Sequence, residues 1–237
     1  MKILYIFPHP DDESFGPAAV INQQVKNGHK IYLYTMTKGE ATKQRFRLNV
    51  DKKEMGEIRF KEMLKVKDTL GLTEMTVDDF PDNELKNLDP RILEKSVKNQ
   101  IEKIKPELII TYGVHGMSGF HDHLVGHAVV KRVFCELKEN VDYLKRLAFI
   151  TREDSGASPW MGDEFRLKHS AKEDINCVIN LTEDDKSMLI KCLNCYESYQ
   201  QTIKDSGVIE KIGDKIEFEI FGESFDPPLK NLTDNIS

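Results

Sequence analysis

At 237 residues the chain is long enough for one large domain, and 39% apolar with 31% charged residues is an ordinary globular composition. A formal net charge of -6 and a sequence pI of about 5.7 exclude a protein that grips nucleic acid through a basic field. No apolar run approaches the roughly 18 residues of a membrane span and the N-terminal run is too short for a secretion signal, so the expectation is a cytoplasmic protein with no membrane partner.

The first apolar run, "KILYIF" (2–7), predicts a strand. "GPAAVINQQVKNG" (16–28) has helical spacing and ends at Gly28, a suitable C-cap. "HKIYLYTMT" (29–37) predicts a second strand, and the polar, basic "KGEATKQRFRLNVD" after it shows no period and predicts an exposed loop. Residues 52–72 form an amphipathic helical pattern ending at Gly71; residues 88–106 form another, with Asp89 as N-cap and Pro90 at N1. "ELIITY" (107–112) predicts a strand, 121–140 a helix and "KRLAFIT" (145–151) a further strand. Beyond 152 the reading is coarser: a loop over 152–169, a helix over 182–205 with Thr182 as N-cap, a hairpin in "KIGDKIEFEIFG", and a frayed or disordered "DPPLKNLTDNIS".

Strand and helix in repetition imply an α/β fold: a Rossmann-like three-layer sandwich around a mostly parallel sheet, with a smaller C-terminal α+β elaboration. The whole chain is expected to be one domain, with a core over 1–151 and the elaboration over 152–237. The four cysteines suggest no disulfide framework, and Cys192 and Cys195 lie inside a helical pattern, where a redox pair would open a helix after a strand.

Ligands of parallel sheets bind outside the carboxyl ends of the strands. Three polar clusters follow predicted strands and so share that edge: "PHPDDE", "TKGE" and "YGVHGMSGFHDH". His9 and Asp12, three positions apart with Pro10 between them, can face one cation if the chain turns, leaving Asp11 free. A catalytic zinc takes three protein ligands and keeps a position for water, and "HDHLVGH" offers His121, His123 and His127 as the third. The plainer alternative is a turn whose Asp residues cap a helix and interact with its dipole.

These motifs resemble the opening of the LmbE-like, or PIG-L, deacetylase family, with its A-H-P-D-D-E, a strand and then T-x-G-E. "RFKEMLKVKDTLGL", "DDFPDNEL", "SGFHDH" and the late "KCLNCYESYQQ" resemble further family motifs in order, well over about residues 1–130 and loosely after. The resemblance implies removal of an N-acetyl group from an amino sugar or glycoconjugate with a divalent metal, zinc in most members, with ferrous iron or another divalent ion as the alternative. It implies His9, Asp12 and His123 as metal ligands and Asp11 as general base toward the attacking water. It also implies Glu40, Arg59 and Asp82 as substrate contacts; on spacing alone Arg59 pairs with Glu62, and Asp82 is a turn residue.

One departure stands out. Phe120 occupies the position where the family carries an oxyanion-stabilising His, and His121 follows it as a candidate substitute. His127 reads as a residue supporting the ligands, Arg45 and Arg47 as solvated or as guides for an anionic substrate, and Trp160 as packing or a sugar-stacking platform. The alternatives are an amidase or N-acyl hydrolase of another substrate, such as a thiol conjugate, and a metal-containing binding relative in which Phe120 marks lost catalysis. A nucleotide-binding Rossmann protein is disfavoured, since no G-x-G-x-x-G follows strand one. The expected partner is a small N-acetylated molecule, and a homo-oligomer is compatible with the sequence.

Overall fold

The computed structural model describes residues 1–153 and 167–236. Among these, seven strands form one sheet. They are β1 (Lys2–Phe7), β2 (Lys30–Thr37), β3 (Glu74–Phe80), β4 (Leu108–Tyr112), β5 (Arg146–Thr151), β6 (Cys177–Asn180) and β7 (Lys215–Ile220). The helices are α1 (Pro17–Lys26), α2 (Gln44–Leu48), α3 (Lys52–Leu70), α4 (Pro90–Ile104), α5 (His121–Lys138), α6 (Glu183–Cys195) and α7 (Gln200–Ser206).

The strand order is β3-β2-β1-β4-β5-β7-β6. The first five pair in parallel, and β7 runs antiparallel between β5 and β6. The fold is therefore the expected α/β sandwich. Strand alternation divides the core: Ile3, Tyr5 and Phe7 pack on the face that carries α1 and α6, Leu4 and Ile6 on the face that carries α4 and α5. The chain leaves β1 in one direction toward β2 and later returns to β4 on β1's other side. That reversal opens a crevice beyond the carboxyl ends of β1 and β4.

Local chemistry sets the helix bounds. Asp51 accepts from Glu54 N–H at the start of α3 while the Glu54 side chain answers, a capping box; Gly71 closes the helix in the left-handed conformation. Asp89 caps α4 with Pro90 behind it, and Thr182 caps α6.

The structure differs from the sequence reading at five places. The polar segment after β2 contains the short α2. β3 and β6 were not expected; both are edge strands, one half-buried and acidic, the other four residues long. The helix over 182–205 breaks at Tyr196, whose φ of -87° and ψ of 68° are not helical, and resumes as α7. "KIGDKIEFEIFG" supplies one strand, β7, whose antiparallel partners are β5 and β6 rather than the residues before Gly213. The segment expected to fray packs instead, with Leu229 and Leu232 in the core and Arg146 donating to the Leu232 and Asp234 carbonyls.

Candidate active site

Four segments meet in the crevice. The loop after β1 carries His9, Pro10, Asp11 and Asp12. Its shape is set by neighbours: Asp12 Oδ2 accepts the His9 N–H at 2.8 Å, and Thr37 Oγ1 and N–H both donate to the Pro8 carbonyl. Gly39, with φ +64°, lies under Pro10; a Cβ there would come within 3.0 Å of Pro10 Cδ. This explains the glycine in "TKGE". α5 begins at His121 and so brings Asp122 and His123 to the same edge. Gly116 fits against His123, where a Cβ would approach within 2.9 Å.

His9, Asp12 and His123 come together as a group able to hold a metal ion. His123 Nδ1 lies 2.9 Å from the Gly116 carbonyl, which can only accept, so Nδ1 carries the proton and Nε2 presents a lone pair. His9 Nε2 lies 3.2 Å from Asp122 Oδ2 and 3.3 Å from Asp82 Oδ1, so it is the protonated nitrogen. His9 Nδ1 lies 3.2 Å from His123 Nε2, so an ion displacing the Nδ1 proton would meet a lone pair from each ring. Asp12 oxygens stand 3.6 Å from His9 Nδ1 and 3.4 Å from His123 Nε2. Ligands about 2.1 Å from a tetrahedral cation lie about 3.4 Å apart, so the donor set and its spacing fit a divalent ion such as zinc.

Electrostatics agree. Burial works against charge on His9, but Asp122, Asp82 and Asp12 outweigh it and hold its pKa well above the usual histidine value. Burial pushes His123 down to about 3, with His9 adding to the effect, so its ring stays neutral and ligand-ready. Positive charge belongs at the centre of the cluster, on His9 or on an ion. Tyr112 Oη donates to Asp12 Oδ1 at 2.8 Å, and its ring stacks on His123 at 4.3 Å.

Asp11 lies outside the ligand group. Its φ is +83°, a strained value that Asp tolerates better than most residues. Its Oδ2 accepts from Arg59 Nη2 at 2.5 Å, and the same nitrogen reaches the Pro10 carbonyl at 2.7 Å. Burial pushes the Asp11 carboxyl up to about 6, although Arg59 opposes it.

The remaining predicted residues are distributed around this centre. Arg59 is 2% exposed and is spent on Asp11 and Pro10 rather than facing the crevice. Glu62, its expected partner by spacing, instead accepts from the Ser198 N–H and hydroxyl. Glu40 accepts the Asp82 N–H at 2.8 Å, and Asp82 accepts the Ala41 N–H and approaches His9. His121 is exposed at the first position of α5, outside the ligand group. Phe120, 50% exposed, stands edge-on to His123 at 5.6 Å. His127 donates from Nδ1 to the Tyr112 carbonyl at 2.9 Å and packs on Phe149, a supporting position. Arg47 is exposed and donates to Gln44 Oε1 at 3.0 Å, and Arg45 lies over the Phe46 ring. Trp160 lies outside the described residues. A cavity of about 400 Å³ beside α5, lined by His127, Lys131, Phe149 and Glu219 among others, includes none of the ligand group.

Three residues were missed in the sequence: Asp122, Tyr112 and Tyr196. Asp122 orients His9 and also accepts the N–H groups of Asn83 and Leu85. Its position between two histidines was a usable signal, and so was the place of Tyr196 in the family-like "KCLNCYESYQQ"; Tyr112, on a buried strand, gave none.

A family model described as "PIG-L: GlcNAc-PI de-N-acetylase" matches residues 4–134. A 1D-myo-inositol 2-acetamido-2-deoxy-alpha-D-glucopyranoside deacetylase of Thermomonospora curvata is 28% identical over 152 residues, 55% of this chain and 51% of the relative. The N-acetylglucosaminyl-phosphatidylinositol de-N-acetylase of Bos taurus is 28% identical over 142 residues, 58% of this chain and 52% of the relative. The chain thus spans about half the length of these curated relatives. The solved N,N'-diacetylchitobiose deacetylase from Pyrococcus horikoshii superposes with a TM-score of 0.66 at 16% identity, covering 93% of this chain and 83% of that one. At that identity the likeness speaks for the fold.

Proposed function

The chain belongs to the PIG-L family of de-N-acetylases, and on that premise we propose that it is a metal-dependent hydrolase that removes the acetyl group from an N-acetylglucosamine-type sugar or glycoconjugate. The observation that carries this reading is the meeting of two imidazole nitrogens and the Asp12 carboxylate beside a second aspartate, Asp11, that is left out of the group. His9, Asp12 and His123 would hold the divalent ion, with zinc the preferred identity from the nitrogen and oxygen donors and their spacing. When bound, such an ion supplies Lewis acidity, lowering the pKa of water toward about 7 and polarising the acyl carbonyl.

The chain's own residues then do the proton work. Arg59 holds Asp11 Oδ2 and leaves Oδ1 for the reacting water. Asp11 Oδ1 takes a proton from the water as it attacks the amide carbon and returns that proton to the departing amine, giving acetate and a free amine. Burial raises the Asp11 carboxyl and Arg59 opposes it, and a cation held by the neighbouring Asp12 would lower it further, keeping Asp11 ionised as the base until it takes the proton of the water. Asp122 and Asp82 fix the His9 ring, and Tyr112 fixes Asp12. In this reading Glu40, whose Oε1 accepts the Asp82 N–H, is the carboxylate offered to the sugar, while the two Asp82 oxygens are taken up by the Ala41 N–H and the His9 ring.

The test is metal analysis together with acetate release from N-acetylglucosaminyl inositol, malate and simple sugar substrates, on the natural protein and Asp11→Asn. The expected result is an unchanged metal content with acetate release reduced at least about 100-fold in the variant. Equal rates in both proteins would remove Asp11 from its role. Bound metal without turnover on any acetylated sugar would favour the binding-relative reading, which Phe120 motivates.

A further inference from the structure

The break at Tyr196 puts its phenol where a continuous helix would not. Tyr196 is fully buried. Its Oη accepts the Asp11 N–H at 2.9 Å and donates to Glu13 Oε1 at 2.7 Å, so the single hydroxyl proton and one lone pair are both used. Glu13 Oε1 also accepts from the Ser14 hydroxyl, which fixes the acceptor that orients the phenol. On the other side of the same residue, in the next peptide unit, the Asp11 carbonyl accepts the Ser14 and Phe15 N–H groups at 2.7 and 3.0 Å. Asp11 is therefore held at both its N–H and its carbonyl in a conformation, φ +83°, that the isolated chain disfavours. The same turn reaches the carboxylate as well. The Tyr199 ring lies 4.2 Å from the Arg59 guanidinium carbon and the Tyr196 ring 5.1 Å, and Arg59 holds Asp11 Oδ2.

We infer that Tyr196 is a positioning residue for Asp11: its hydroxyl pins the aspartate backbone in the left-handed conformation, and this aims the free carboxylate oxygen at the water beside the ligand group. The inference rests on the reading of Asp11 as the general base. It assigns a function to the late segment "NCYESYQQ", which lies far along the chain from every other residue of the centre. The competing account is that Tyr196 only fills space beneath the loop after β1. Phenylalanine separates the two, because it keeps the ring, its packing and its contact with Arg59 and removes only the oxygen.

The experiment compares Tyr196→Phe and Tyr196→His with the natural protein. Tyr196→Phe is expected to lower kcat by about 10- to 100-fold, with KM within about twofold and metal content unchanged. Tyr196→His, whose ring offers one accepting and one donating nitrogen, is expected to recover at least part of that loss. A kcat unchanged in Tyr196→Phe overturns the inference. So does a Tyr196→His variant that folds and falls more than about 100-fold below the natural protein in kcat, an arm read against the natural protein alone and therefore decisive even if Tyr196→Phe does not fold. If the natural protein releases no acetate from any substrate, the hydrolase reading fails, but the inference is still decided by a crystal structure of Tyr196→Phe. The expected structure has Asp11 out of the left-handed region, and an unmoved Asp11 overturns the inference.

Discussion

Arg59 buries a full positive charge against a carboxylate that the proposed reaction needs. Its Nε and Nη1 lack a hydrogen-bond acceptor among the described residues, and the tyrosine faces take up part of the charge. Burial opposes the guanidinium's charge, and Asp11 more than restores it, so its pKa lies above the usual arginine value. With Nη2 on the Asp11 carboxylate and the Pro10 carbonyl, Arg59 is proposed to act on Asp11 rather than on a substrate. Arg59→Lys tests this, since a lysine keeps the charge but not the planar fork that reaches Pro10 and Asp11 together. The expected steady-state result is a kcat lower by about tenfold or more with KM changed less than about threefold. A raised KM at constant kcat would make Arg59 a substrate contact, as the family resemblance implies.

The first turn of α5 shows how an element divides neighbouring residues between roles. Helical geometry turns successive side chains by about 100°, so Asp122 and His123 face the centre while His121 and Leu124 face out. His121→Ala is accordingly expected to change kcat by less than about threefold in acetate-release assays; a loss of about 100-fold would make His121 the substitute for the histidine absent at Phe120. The same geometry explains what could be read in the sequence. β1, β2, β4 and β5 were legible because central strands are continuous apolar runs, and His9, Asp12 and His123 because polar residues behind such runs are conspicuous. β3, "EMTVDDF", was hidden because an edge strand needs no apolar face and here is largely half-buried. The break at Tyr196 was hidden because local propensity favours continuing the helix, and the contacts that stop it come from residues 11 and 13. Asp122 and Tyr112 escaped for the same reason: the groups they orient, His9 and Asp12, lie 113 and 100 positions away.

At the scale of the molecule, the residues after 167 continue the sheet and its core. β7 and β6 extend the sheet from β5, and Leu189, Cys192, Leu193 and Tyr196 share a core cluster with Ile3, Tyr5 and Phe7. This continuity lets a turn near residue 196 steer a loop near residue 11. Its last link is the C-terminal segment. Arg146 on β5 is almost fully buried; Glu223 binds its Nε and Nη2, and the Leu232 and Asp234 carbonyls bind its Nη1 at 2.6 and 2.8 Å. Removing residues 227–237 exposes the site of Leu229 and Leu232 and takes two acceptors from a buried cation. Burial of one leucine contributes about 1.5–3 kcal/mol, and a buried charge-assisted hydrogen bond about as much again. Truncation after Asp226 is therefore expected to lower unfolding free energy by roughly 4 kcal/mol or more, measured by urea denaturation. β5 pairs with β4, whose carboxyl end leads into α5. The truncated protein should therefore also hold the proposed divalent ion more weakly, with the loss restored by saturating zinc if the native state persists. A truncation that leaves the urea midpoint unchanged would show that the tail lies on the core without supporting it.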